Sequence, residues 1–242
     1  MFEDHLAKVS LGPLAGRLLI SVKRARWRMH SEPDTEMRNA EYVRNRLNRM
    51  ESTGYTCQFC GFQTRGTPDA APGTLLASGF LEAHHMDDDH CNNDPRNLVP
   101  ACPFCHSVFH IGYAGWRKGA VLIWLPELPQ AHLNLLCHAM LAGLLTEETE
   151  EAARRVYNMF RGLAGRVDER FSVPGGAASH PAVFGKALGH LKDSVFDNRK
   201  DVLQPLRLLP DLDRYKEAGS YWLQTSWRAH PPQLWEPLTD AG

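Results

Sequence analysis

Two Cys-x-x-Cys pairs, Cys57/Cys60 and Cys102/Cys105, enclose the string Glu82-Ala83-His84-His85-Met86, and His106 directly follows the second pair. A two-residue spacer lets both sulfurs of a pair point at one spot, so two such pairs can surround a single tetrahedral zinc ion. Redox use and disulfide pairing are the competing chemistries, and two equally spaced pairs in one short segment favour the metal. The imidazoles add a second chemistry. Phosphodiester hydrolysis needs a base to activate water and a divalent cation to neutralise developing charge. A histidine, with an ordinary pKa of about 6.5, supplies the base near neutral pH.

The segment resembles the HNH endonuclease ββα-metal motif in its four-cysteine form. That resemblance implies that His85 is the general base and that His84 is a neighbouring metal ligand, at a place often held by Asp. It implies further that Asn97 orients the loop and the base, and that His106 is the ligand directly after the last cysteine. These residues would form a second metal site distinct from the zinc, taking magnesium, manganese or another first-row ion such as nickel. Two imidazoles without a matched carboxylate suit magnesium poorly. Asp87, Asp88 and Asp89 read as a solvated loop, His90 and Cys91 as superfluous to a tetrahedron already filled by four sulfurs, and His110 as a surface residue.

The elements that must position these groups follow from periodicity. Residues 17–28 read as a strand with one basic edge. Glu36–Glu51 reads as a helix with Met37, Ala40, Val43, Leu47 and Met50 on one face, Asp34 or Thr35 as cap and Gly54 as stop. Tyr55–Phe62 and Leu76–His85 read as paired strands joined by a Pro/Gly-interrupted loop, and a short helix is expected from Cys102 to about His110. Val121–Leu125 is a β-rich run. Beyond it, Leu133, Leu136, Cys137, Met140 and Leu144 share one helical face, and Ala152, Ala153, Val156, Phe160 and Leu163 share another. A shorter helix starts near Ala182, Pro205 and Pro210 break the chain, and Tyr221, Trp222, Trp227 and Trp235 mark an aromatic tail. The expected class is α+β: an N-terminal strand and helix over 1–54, a zinc-stabilised HNH-like ββα core over 55–128, a helical part over 129–210 and a tail over 211–242.

A chain of 242 residues with net charge −1 is not held to nucleic acid by bulk electrostatics. Basic residues nevertheless gather early (Lys23, Arg24, Arg26, Arg28, Arg38, Arg44, Arg46, Arg49) and acidic ones later (Glu147, Glu148, Glu150, Glu151). The longest apolar stretch, Leu133–Leu145, is too short to cross a bilayer. Glu3, Asp4 and Arg17 interrupt any apolar leader, so a reducing cytoplasm is expected.

Read beyond the cysteines, the chain resembles the IcmJ/DotN family of type IVB secretion and conjugation systems. The likeness rests on Tyr55-Thr56-Cys57-Gln58-Phe59-Cys60-Gly61-Phe62, on Asn97-Leu98-Val99 before Ala101-Cys102 and Phe104-Cys105, and on Leu125-Pro126-Glu127-Leu128 with Gln130-Ala131 and Leu133-Asn134. It continues through Leu136-Cys137-His138, Pro181-Ala182-Val183-Phe184-Gly185 and Arg207-Leu208-Leu209-Pro210. The resemblance implies a zinc-bearing adaptor of the cytoplasmic coupling complex, binding the type IV coupling ATPase and its companion subunits and recruited with them to the inner membrane. Members of that family lack the catalytic histidines. This chain departs by carrying His84, His85 and His106, which keeps a metal-dependent DNA endonuclease as the alternative.

Overall fold

The computed structural model describes residues 10–22 and 39–226. Residues 23–28 of the expected strand, the caps Asp34 and Thr35, Met37, the early basic cluster through Arg38, and Trp227 and Trp235 lie outside the described residues. Helices and two small sheets together make the α+β class expected from the sequence.

Residues 18–22, with Leu18, Ile20 and Val22 buried, form neither a strand nor a helix. Ser21 donates its N–H to Val108 O at 3.0 Å and accepts from Ile111 N at 3.2 Å, so helix ends take the place of a neighbouring strand. Helix α1 (Ala40–Ser52) is capped by Asn39, whose Oδ1 accepts from Glu41 N at 3.0 Å and Tyr42 N at 3.2 Å. Its buried face is Tyr42, Asn45, Arg46 and Met50, not the Ala40/Val43/Leu47 stripe that periodicity suggests. Buried acceptors draw the polar pair inward. Arg46 donates to Ser78 Oγ at 2.6 Å and Leu81 O at 2.7 Å, and Asn45 donates to Asn93 O at 2.9 Å.

Tyr55–Phe62 is not a strand, and one bridge, Thr56 to Gln63, is all the ladder it forms. The chain turns back on itself there instead: Gly61 N donates to Cys57 O at 3.0 Å and Cys57 N to Phe62 O at 2.8 Å. Gly61 takes a φ of +80°, and a side chain there would meet Ser10 O at 2.6 Å. The expected strand from Leu76 shrinks to β1 (Glu82–His85), because Gly79 and Phe80 both adopt positive φ just before it. Its partner is β2 (Leu98–Ala101), antiparallel with His84 opposite Val99 and His85 opposite Leu98. Helix α2 (Pro103–Phe109) follows at once, with Pro103 at its start and Cys102 as its cap.

A bend at His110 leads into α3 (Ile111–Trp116) and then β3 (Ala120–Trp124). Helix α4 (Gln130–Leu144) buries Leu133, Cys137, Met140 and Leu144 as the periodicity predicts, with Leu136 only half-buried; in α5 (Glu150–Gly162) the expected face is half-buried at Ala153, Val156, Phe160 and Leu163 and exposed at Ala152, and the buried residue is Tyr157, whose hydroxyl donates to Pro210 O at 3.1 Å. Short helices α6 (Gly165–Arg170), α7 (Pro181–Gly189), α8 (Asp193–Asp197) and α9 (Lys200–Leu203) lead to β4 (Leu206–Pro210), which pairs antiparallel with β3. Pro205 and Pro210 therefore bracket a strand and do not simply break the chain. At the end, α10 (Lys216–Thr225) returns to the cysteines: Trp222, fully buried, packs on Phe62, Phe104 and His138 and donates Nε1–H to Gly79 O at 3.0 Å. One continuous cluster of buried residues runs from Leu18 to Trp222.

Candidate metal centres

Cys57 and Cys60 come from the turn before Gly61, Cys102 and Cys105 from the junction of β2 and α2, and all four side chains are fully buried. Their sulfurs lie within 4.8 Å of one another, with Cys60 and Cys102 at 3.7 Å. A zinc tetrahedron with bonds near 2.3 Å has sulfur–sulfur edges of about 3.8 Å, so the spacing fits the ion and is far too long for a disulfide. Burial, and then the neighbouring sulfurs, push the Cys102 thiol well above its ordinary range. Four thiolates cannot share a dry pocket without a cation, and the all-sulfur donor set at this spacing is compatible with zinc.

A second cluster forms between β1 and α2. His84, His106 and His110 bring one ring nitrogen each to within 4.8 Å of the others. His84 is held by stacking on Phe109, with ring centres 4.0 Å apart and planes 13° apart. His106 pairs through Nδ1 with the Glu82 carboxylate, which leaves Nε2 as the nitrogen for a metal. Burial opposes ionisation of Glu82, but His106 beside it and Arg46 behind it outweigh that cost and hold its carboxyl below the ordinary value. Three imidazoles converging on one point suit zinc, nickel or cobalt and not magnesium, which prefers oxygen.

The other residues singled out by sequence fall around these clusters. His85 is 2% exposed, its ring stacked between Tyr42 and His90, with Nε2 and Asn93 Oδ1 at 3.1 Å. Asn97 ties the 87–97 loop together, donating to Asp87 Oδ1 at 2.8 Å and Asn92 O at 2.9 Å and accepting from Asp87 N at 3.1 Å. Asp87 is thereby a loop organiser, not a member of the imidazole cluster. Cys91 is exposed and apart from the four sulfurs, and Cys137 is a buried core residue. His110, one helical turn from His106 and expected at the surface, is instead half-buried and joins the cluster.

No protein-family model matches the chain. A curated relative, the type 4 apparatus protein DotN of Legionella pneumophila, is 32% identical over 201 residues, covering 81% of this chain and 84% of that protein.

Proposed function

The chain belongs to the DotN family of type 4 apparatus proteins, and on that basis we propose that it is a zinc-held, non-catalytic adaptor of a type IVB secretion or conjugative coupling complex. The observation that carries the reading is the reach of the likeness: it extends over 201 residues, far beyond what a bare metal knuckle requires. In this reading the four cysteines hold the folded core and the outer faces meet the coupling ATPase and its companion subunits at the inner membrane. Among the described residues no helix is long and apolar enough to cross a membrane, so recruitment would come through those partners. Trp116 is 75% exposed, stacks with Tyr113 and lies beside Arg117, whose guanidinium sits over the Tyr113 ring. Aromatic and arginine side chains of this kind anchor protein interfaces. Co-purification with the cognate coupling ATPase tests the proposal. The two should elute together and Trp116→Ala should weaken the pair; separation of the unmutated proteins at low salt sinks it.

The convergence of His84, His106 and His110 favours a second reading, a metal-dependent HNH-type DNA endonuclease with His85 as base, Asn97 as its orienting residue and a divalent ion at the imidazoles. The buried stack around His85 weighs against it, since His90 would have to leave before water and a phosphate could reach the ring. Plasmid cleavage with magnesium, manganese, nickel or zinc, lost in both His85→Ala and His106→Ala, would establish hydrolysis. Nickel binding that disappears in His106→Ala without any cleavage would leave the imidazoles as a second, non-hydrolytic metal centre.

A further inference from the structure

The four sulfurs are not held by their own turns alone. Asn134, fully buried in α4, donates its side-chain amide to Cys105 Sγ at 3.2 Å. Its Oδ1 accepts from Gln130 Nε2 at 2.8 Å, one helical turn earlier. Gln130, 6% exposed, also donates to Leu208 O at 2.9 Å and accepts from Leu208 N at 2.8 Å. Leu208 lies opposite Leu122 in the β3–β4 ladder, and the Leu122 N–H points the other way, to Ser179 O at 2.8 Å. This is therefore a non-hydrogen-bonded pair, whose main-chain groups face out of the hairpin. The Gln130 amide takes the place of a third strand there.

The polarity of the series follows from Leu208. A backbone N–H can only donate, so Gln130 must offer it Oε1, which turns Nε2 toward Asn134. Asn134 must answer with Oδ1, and its remaining amide hydrogens then face the sulfur. The opposite flip would lay a carbonyl oxygen against a thiolate. Four thiolates around one doubly charged cation leave two negative charges in a buried space, and a neutral N–H aimed at a sulfur offsets part of that charge.

We propose that Asn134 and Gln130 are positioning residues of the zinc centre, through which strand β4 aims a donor at Cys105 and sets how tightly the metal is held. The proposal rests on the zinc reading of the four cysteines. Its test is zinc affinity of the full chain, measured by competition with a chromophoric chelator. Asn134→Leu should weaken zinc by about tenfold to a hundredfold, and Gln130→Met by less in the same direction. In the cobalt-substituted protein, the thiolate-to-metal charge-transfer band should move to lower energy in Asn134→Leu, because the sulfur loses its donor. A packing role alone would lower the melting temperature and leave affinity and band unchanged; that result overturns the proposal. Should neither variant fold, the unmutated protein loaded with NMR-active cadmium decides. A scalar coupling from the metal to one side-chain amide proton of Asn134 supports the relay, and its absence with cadmium bound refutes it. Failure of the unmutated chain to bind zinc at all would instead refute the zinc reading itself.

Discussion

His138 offers a sharp test of how the aromatic floor beneath the cysteines is built. The residue is fully buried, stacked on Phe62 with ring centres 3.7 Å apart and planes 5° apart, and flanked by Phe104 and Trp222. Burial pushes its pKa from the ordinary 6.5 down to about 3, and only the nearby Cys57 works against the shift. The sign follows directly: on acidification the unfolded chain takes up this proton first, so the stabilisation is fully present above about pH 6.5 and is lost as pH falls toward 3. Between about pH 7.5 and pH 5.5 the loss from this one group is about 1.4 kcal/mol, a tenfold change in the folding constant. His138→Phe keeps the stack and removes the titration. Urea unfolding of parent and variant at both pH values, with zinc saturating, isolates the term, because acid effects on the cysteines are common to both proteins and cancel. The parent should lose about 1.4 kcal/mol more than the variant over that interval. Equal losses in the two proteins would refute the buried, neutral state of His138.

Three further outcomes follow from the packing. Cys57→Ser or Cys105→Ser should lose the metal and unfold the cysteine core, since zinc binding in such sites contributes about 10–16 kcal/mol of folding energy; metal analysis should fall from one zinc per chain to none. Gly115 lies so close to α7 that any side chain would overlap the backbone nitrogen of Ala182. Gly115→Ala should therefore cost about 1–3 kcal/mol, read as a drop in melting temperature. Arg207, 6% exposed, donates to the carbonyls of Leu128, Gln204 and Leu206. Arg207→Met leaves several of these buried acceptors unpaired and should cost about 3 kcal/mol in urea unfolding.

What could be read from the sequence is what depends on local spacing. Each Cys-x-x-Cys turn is readable because a two-residue spacer brings the two sulfurs of a pair together, wherever the rest of the chain goes. The face of α4 was readable for a similar reason: Leu133, Cys137, Met140 and Leu144 repeat at helical spacing and little else competes for them. The α1 face was not, because hydrogen-bond acceptors at Ser78, Leu81 and Asn93 pull Arg46 and Asn45 inward against their polarity. Strand β4 was hidden by its flanking prolines. Pro210 is tolerated as the last residue of a strand, opposite Ala120. His110 joined His84 only through the bend between α2 and α3, a feature no periodicity encodes. The Asn134 donor to Cys105 was equally invisible, since a polar residue on a helix announces no particular partner.

The position of Trp222 has a consequence for synthesis. Residues 57–105 leave the ribosome early, with all four cysteines needed to gather a metal ion, but the rings of Phe62, Phe104 and His138 stay wet until α10 has emerged to cover them. A chain cut short before that helix would be metal-loaded yet sticky, a client for chaperones and proteases and not a shorter working subunit.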